Sequence, residues 1–257
     1  MKKHNDLLIQ KLPKPVKTYI KHLEQVRSDF VANVSHELRT PLTVIQGYLE
    51  TLIKEESTNK KTLNKIFQQM YQHSIRMADI IEDLLLLSHL EGDDHPTEEK
   101  NDIVVADILK NLLIDAKNIS GEKMHKISLK VETKIVMRGS ESELRSLFSN
   151  IIVNAIKYTP DQGRINIEWF CDNEGRGIFK VSDTGIGIAK EHIPRITERF
   201  YRVDKARSRE RGGTGLGLAI VKHVLLRHDA ELEVESVLEK GSDFRCCFPK
   251  KRITFLE

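Results

Sequence analysis

The stretch NVSHELRTPL, residues 33–42, sets His36 beside Glu37 and puts Pro41 in the middle of a long helical pattern. Apolar residues run through it at Leu23, Val26, Phe30, Val34, Leu38, Leu42, Ile45, Leu49 and Leu52. Steps of three and four residues are what one buried face of an α-helix requires. His36 lies about 200° around that helix from Val34, so it faces away from the apolar seam. Asp29, Asn33, His36, Thr40, Thr43, Gly47 and Glu50 form a polar stripe. Pro41 lacks a backbone donor and should kink or break the helix there.

The segment EESTNKK, residues 55–61, interrupts the pattern. A second apolar series follows at Leu63, Ile66, Met70, Met77, Ile80, Leu84 and Leu87. It should stop near Glu91 and Gly92, where glycine can take the left-handed conformation that ends helices. Two long amphipathic helices with a short connection make an antiparallel hairpin. One hairpin leaves an apolar face over. Two hairpins from two chains would close a four-helix bundle, so a homodimer is expected.

Residues 1–17, broken by Pro13 and Pro15, read as a linker or the remnant of something upstream. The hairpin domain then spans 18–92. Residues 93–102, within the acidic GDDHPTEEKND, read as a second linker, and 103–257 as a second domain. There IVVADILKNLLIDAKNI reads as helix, and HKISLKVE and KIVMRG alternate like strands. Residues 141–158 read as helix, GRINIEWF and GIFKVSD as strands, 216–228 as helix. AELEVESV and SDFRCCFP form a hairpin around Glu239–Gly241. The expected class is α+β: a helical hairpin, then an α/β sandwich with a mostly antiparallel sheet.

Composition narrows the options. A net charge of +3 is nearly balanced and argues against a protein that coats nucleic acid. Three cysteines, Cys171, Cys246 and Cys247, form no CxxC pair, so neither a disulfide framework nor a zinc site is indicated. No apolar run reaches the ~18 residues needed to cross a bilayer. The chain as given is expected in the cytoplasm, with any membrane anchor upstream.

Four motifs could carry chemistry. At His36 an HExxH metal site is ruled out because position 40 is threonine. A nucleophile fits better: neutral imidazole attacks through one nitrogen while a carboxylate, here Glu37, takes the proton of the other. Without that chemistry, His36 is an ordinary surface histidine. In NIIVNAIKYT, residues 150–159, Asn150, Asn154, Lys157 and Tyr158 share one helix face. Two amides, an ammonium and an aromatic can hold a hydrated magnesium, a phosphate and a flat ring; they could also be a solvated face.

In DTGIGI, residues 183–188, Asp183 at a strand end can accept from an exocyclic amine. Gly185 and Gly187 let the backbone approach a base. The bland alternative is an Asp-Gly turn. In GGTGLGLAIVK, residues 212–222, glycines lead into a helix whose N-terminus can cradle phosphates. No P-loop lysine follows. Between these two motifs, RITERFYRVDKARSRERGG is a basic segment that could close over a triphosphate or lie idle on the surface.

In this order the motifs resemble the catalytic core of the two-component sensor histidine kinases. FVANVSHELRTPLT resembles the family's H box, NIIVNAIKYTP its N box, DTGIGI its G1 box, ERFYRVD its F box and GTGLGLAI its G2 box. SHELRTPLTVIQGYLE and ERFYRVDKARSR resemble the phosphate-regulon branch. The resemblance implies a dimerisation and histidine-phosphotransfer domain, then a Bergerat-type ATP-binding domain. It implies that His36 attacks the γ-phosphate of ATP with Glu37 as general base, and that Pro41 is a hinge. Thr40 would orient a water when the same surface dephosphorylates a response regulator. Asn154 would be the Mg2+ ligand, with Asn150 beside it; Lys157 would contact phosphate and Tyr158 would pack near adenine. Asp183 would take the adenine amine beside Gly185 and Gly187. Arg202 and Lys205 would reach the phosphates, and Gly213, Thr214, Gly215, Leu216 and Gly217 would form the far rim of the lid.

The implied partners are a second copy of the chain and a response-regulator receiver domain, with no direct contact to nucleic acid. The full-length parent would be anchored in a bacterial inner membrane. Rival readings are another Bergerat ATPase, a serine kinase or chaperone-like protein, and a non-catalytic dimeric scaffold. The first group lacks the His36–Pro41 signature. The second would show decay in the glycine or asparagine motifs, and none is seen.

Overall fold

The computed structural model describes residues 13–54, 59–92, 101–203 and 213–255. It begins with a helix of 41 residues, α1 (Lys14–Lys54). Pro13 and Pro15 open this helix rather than hold off its start to residue 18. A proline in the first turn loses only an N–H that would have been unpaired, and the N–H of Lys17 already bonds the Pro13 carbonyl at 3.0 Å. The helix also runs on through Pro41, which is buried. α2 follows (Lys60–Glu91) and ends where its sequence suggested, with the Gly92 N–H on the Ser88 carbonyl at 3.2 Å. Gly92 is not, however, among the residues of positive φ, so the stop is not a left-handed cap.

α1 and α2 form the expected hairpin. Of the α2 series, Ile66, Ile80 and Leu87 are buried, and Leu63, Met70, Met77 and Leu84 half-buried. On α1, Leu23, Val26, Leu42 and Leu49 of the same kind of stripe keep 42–48% of their surface. That is too much for core positions, so a single chain leaves apolar area uncovered. None of the described helices is long and apolar enough to cross a membrane.

The chain divides into two compact units, one through Ile81 and one from Glu82, so the division falls inside α2. The second unit has two sheets. The smaller has order β1-β3-β8, from β1 (Asn101–Val104), β3 (Ile135–Gly139) and β8 (Ile253–Phe255), all antiparallel. Ile103 and Val104, expected in the following helix, and Asn101 and Asp102, expected in a linker, instead form β1; α3 begins at Val105 and runs to Ser120.

The larger sheet has order β2-β4-β5-β7-β6. Its strands are β2 (Lys126–Val131), β4 (Arg164–Cys171), β5 (Gly177–Asp183), β6 (Glu231–Val237) and β7 (Gly241–Phe248). Only the β2–β4 pairing is parallel. The β6–β7 turn is tight, with Glu239 at φ +63° and Gly241 at φ +115°. A Cβ on Gly241 would stand 1.9 Å from the Asp183 carbonyl oxygen, so only glycine fits.

α4 (Glu141–Tyr158) and α5 (Gly217–Arg227) pack against each other over this sheet. Between helix and sheet sits an aromatic cluster, Phe148, Trp169, Phe179 and Phe248, all fully buried, with Phe148 and Phe179 rings 4.4 Å apart. Each such side chain contributes about 1.5–3 kcal/mol through burial. Ser140 caps α4 by accepting the Glu143 N–H. The Glu143 side chain does not return the bond, as a capping box would. It pairs with Arg227 at 3.0 Å, and His228 accepts the Ser140 N–H instead, at 3.4 Å. The start of α4 is thus tied to the end of α5.

Candidate functional site

In the first unit His36 is exposed on α1, on the side its periodicity required. Thr40, one turn on, donates its hydroxyl to the His36 carbonyl at 3.1 Å. Glu37 is half-buried and meets Arg76 of α2, Nη2 to Oε2 at 3.4 Å. Partly exposed ion pairs of this kind contribute under about 1 kcal/mol to stability. A nucleophilic side chain on an open surface beside a tethered carboxylate suits group transfer from a second, mobile substrate.

In the second unit, Asn150, Asn154, Lys157 and Tyr158 are all half-buried on one face of α4, while Ile151, Ile152, Ala155 and Ile156 fill the core. Asn150 donates its amide to the Ser146 carbonyl at 3.0 Å. The chain leaving β5 passes directly under the end of α4. The Ile186 N–H bonds the Tyr158 carbonyl at 3.2 Å, and the Gly185 N–H bonds Asp183 Oδ1 at 2.7 Å. A Cβ on Gly185 would lie 2.7 Å from the Tyr158 oxygen, and one on Gly187, at φ +66°, would lie 2.1 Å from the Val237 oxygen. Burial raises the Asp183 carboxyl above its ordinary range, while N–H donation from Gly185 and Ser242 opposes the rise. Desolvated acceptor, glycine turn and polar helix face therefore come together at one end of the sheet.

The second glycine motif closes on the same helix. A Cβ on Gly217, the first residue of α5, would stand 2.3 Å from Asn150 Oδ1. Gly215, at φ +76°, accepts the Phe200 N–H at 2.8 Å, and Arg202 donates to the Gly213 carbonyl. Thr214 donates to Asp83 Oδ2 at 2.9 Å and accepts the Leu216 N–H at 3.2 Å. The Leu216 side chain is fully buried, so only its backbone can face the rim of the glycine segment. Lys205 lies outside the described residues, as do Arg207, Arg209 and Arg211.

The arrangement can take a nucleotide. The half-buried Asp183 carboxylate can accept from an amino group on a flat base, and each glycine approach noted above is one a Cβ would obstruct. A divalent cation would have to be held jointly with phosphates. Among the described residues no three acidic, histidine or cysteine side chains gather to hold one alone, and Asn154 offers a single amide oxygen. Magnesium, which keeps several waters and binds phosphates readily, suits such a sparse donor set.

Sequence reading missed several residues around these sites. Arg76, Asp83, Glu143 and Gly241 act through partners distant in the chain. Sequence reading also missed His192, which meets Tyr201 at 2.8 Å; Tyr201, expected as an anchor of the basic segment, carries Arg195 of that segment 4.3 Å over its ring.

Two family models match: the His Kinase A phospho-acceptor domain over residues 26–93, and the histidine kinase-, DNA gyrase B- and HSP90-like ATPase over 139–252. The phosphate regulon sensor protein PhoR of Pseudomonas aeruginosa is 52% identical over 93% of this chain, and that of Haemophilus influenzae 40% over 90%. The chain spans about half the length of these curated relatives, 54% and 53%. Among solved structures, the histidine kinase ThkA in complex with the response regulator TrrA superposes with a TM-score of 0.70 at 19% identity, over 90% of this chain and 64% of that one. ShkA in complex with AMPPNP gives 0.65 at 23%, over 89% and 46%. At those identities the two structures establish the fold.

Proposed function

The chain belongs to the two-component sensor histidine kinases, and from that premise we propose that it is a kinase core that phosphorylates itself on His36 from ATP. The phosphoryl group then passes to an aspartate of a response regulator. The observation that carries the reading is the nucleotide cradle: Asp183 desolvated at the end of β5, with Gly185 pressed against the Tyr158 carbonyl.

One nitrogen of neutral His36 attacks the γ-phosphorus. The N–P bond forms, the bond to the bridging oxygen breaks, and ADP leaves. Glu37 takes the proton from the other ring nitrogen. Asp183 orients the adenine through its amine, and Tyr158 covers the base. Asn150, Asn154, Lys157 and Arg202, with Lys205, would hold the triphosphate, and Asn154 would hold magnesium. When bound, the metal would supply charge neutralisation on the phosphates. Gly213, Thr214, Gly215 and Gly217 border the phosphates with backbone N–H groups. In the reverse task Thr40 orients water onto the phosphorylated regulator.

The exposed apolar stripe of α1 supports pairing of two hairpins in a four-helix dimer. The two family matches, over 26–93 and 139–252, support a hairpin domain followed by a separate ATP-binding domain that takes in β1 from Asn101. Similarity to two phosphate regulon sensors supports a role in phosphate-dependent signalling, within a parent protein anchored in the bacterial inner membrane.

The test is incubation with γ-labelled ATP and magnesium beside the His36→Gln variant. Acid-labile, base-stable label on the wild type alone is expected. Label that survives in the variant would move the nucleophile elsewhere, and an unlabelled wild type that binds ATP would make the chain a scaffold.

A further inference from the structure

Glu37 is held from the opposite helix. Arg76 lies 39 residues away in sequence, yet its Nη2 is 3.4 Å from Oε2 of Glu37, and the side chains retain 22% and 17% of their surface. We propose that Arg76 is a positioning residue for phosphorylation of His36. It anchors the Glu37 carboxylate from the opposite helix, so that the base meets the imidazole proton in one orientation. The inference rests on the kinase reading above and extends it to a residue on α2.

The physical argument is about freedom, not stability. A glutamate on an exposed helix face turns among several rotamers. A general base works only within hydrogen-bond reach of its proton, and misplacement by about 1 Å can cost about 100-fold in rate. His36 and Glu37 are adjacent on α1, so their backbones are already fixed relative to each other. Adjacency does not set the rotamer of the glutamate side chain, and Arg76 restrains its far end. Guanidinium suits the task, since it stays charged at every working pH and is planar. Lysine would keep the charge with less directional control.

The experiment measures autophosphorylation in single turnover with γ-labelled ATP for the whole chain, as wild type, Arg76→Gln, Arg76→Lys, Glu37→Gln and the Arg76→Gln/Glu37→Gln double variant. Arg76→Gln should slow labelling at saturating ATP about 10-fold with an unchanged KM for ATP. Arg76→Lys should recover to within about threefold of wild type. On the Glu37→Gln background the arginine change should cost nothing further, because the group it positions is gone. Labelling of Arg76→Gln at the wild-type rate would overturn the proposal. So would equal losses on both backgrounds, or a loss matched by a lower melting temperature, either of which would make Arg76 structural. If the wild type itself takes no label on His36, the kinase reading fails and this inference with it; normal wild-type labelling isolates the role of Arg76.

Discussion

The carbonyl oxygen of Tyr158, the last residue of α4, accepts the N–H of Ile186 at 3.2 Å. This bond fixes the glycine turn after β5 against the end of the helix that carries Asn150 and Asn154. It places Asp183 and the asparagine face at one site.

Asp183→Asn replaces an acceptor-only carboxylate by an amide that can turn its donor towards the same position. Nucleotide affinity should fall about 10- to 100-fold, roughly what one or two charge-assisted hydrogen bonds supply. Titration with a fluorescent ATP analogue checks this. Folding should persist, because the change removes a desolvated carboxyl.

Gly187→Ala puts a Cβ 2.1 Å from the Val237 carbonyl on a residue at φ +66°. Backbone strain of this kind costs about 1–3 kcal/mol. The second unit should melt lower and bind nucleotide more weakly, which thermal melts and titration with a fluorescent ATP analogue check.

Thr40→Ala removes a hydroxyl that otherwise bonds back to the His36 carbonyl. Alanine is the better helix former, so α1 should not weaken. Dephosphorylation of the regulator should fall at least 10-fold, so that phosphorylated regulator accumulates while labelling of His36 from ATP is unchanged. Full dephosphorylation by the variant would remove Thr40 from the reaction.

Stability of the second unit should depend on pH through His228. Burial lowers its pKa below the ordinary 6.5, with Glu143 acting in the opposite direction and Arg227 and Arg252 adding to the depression. The unfolded chain therefore binds a proton that the folded one does not as pH drops below about 6.5. Stability should be full above that value and decline on acidification, by up to about 1.4 kcal/mol per pH unit for one proton. His223, also lowered by burial, acts in the same sense. Denaturant melts at pH 7.5 and 5.5 should show the decline, and His228→Gln should reduce it.

Sequence pattern located α4 at residues 141–158 and β5 at 177–183 because α4 has one buried face, β5 is a short apolar run, and each has a clear boundary residue, Ser140 and Asp183. It failed for β1. Ile103 and Val104 continue the apolar pattern of α3 without a break, and only pairing with β3 makes them a strand. β8 is three residues long and exists through the same strand. At the site, Asp183, Gly185 and Gly187 were legible because their chemistry is local: a strand end and backbone approaches that exclude a Cβ. The burial of the Leu216 side chain was not legible, because membership of a glycine motif says nothing about which way a side chain points. Arg76 left no signal, since its meaning depends on a residue on the other helix.

α4 is clamped at both ends, at its start by Glu143, Arg227 and His228 and at its finish by the Tyr158–Ile186 bond. Its amides should therefore open only with global unfolding and exchange with deuterium among the slowest in the chain. A ligand arriving at this helix meets a surface already in place, and the ordering entropy of its amide face has been spent during folding rather than at each catalytic cycle.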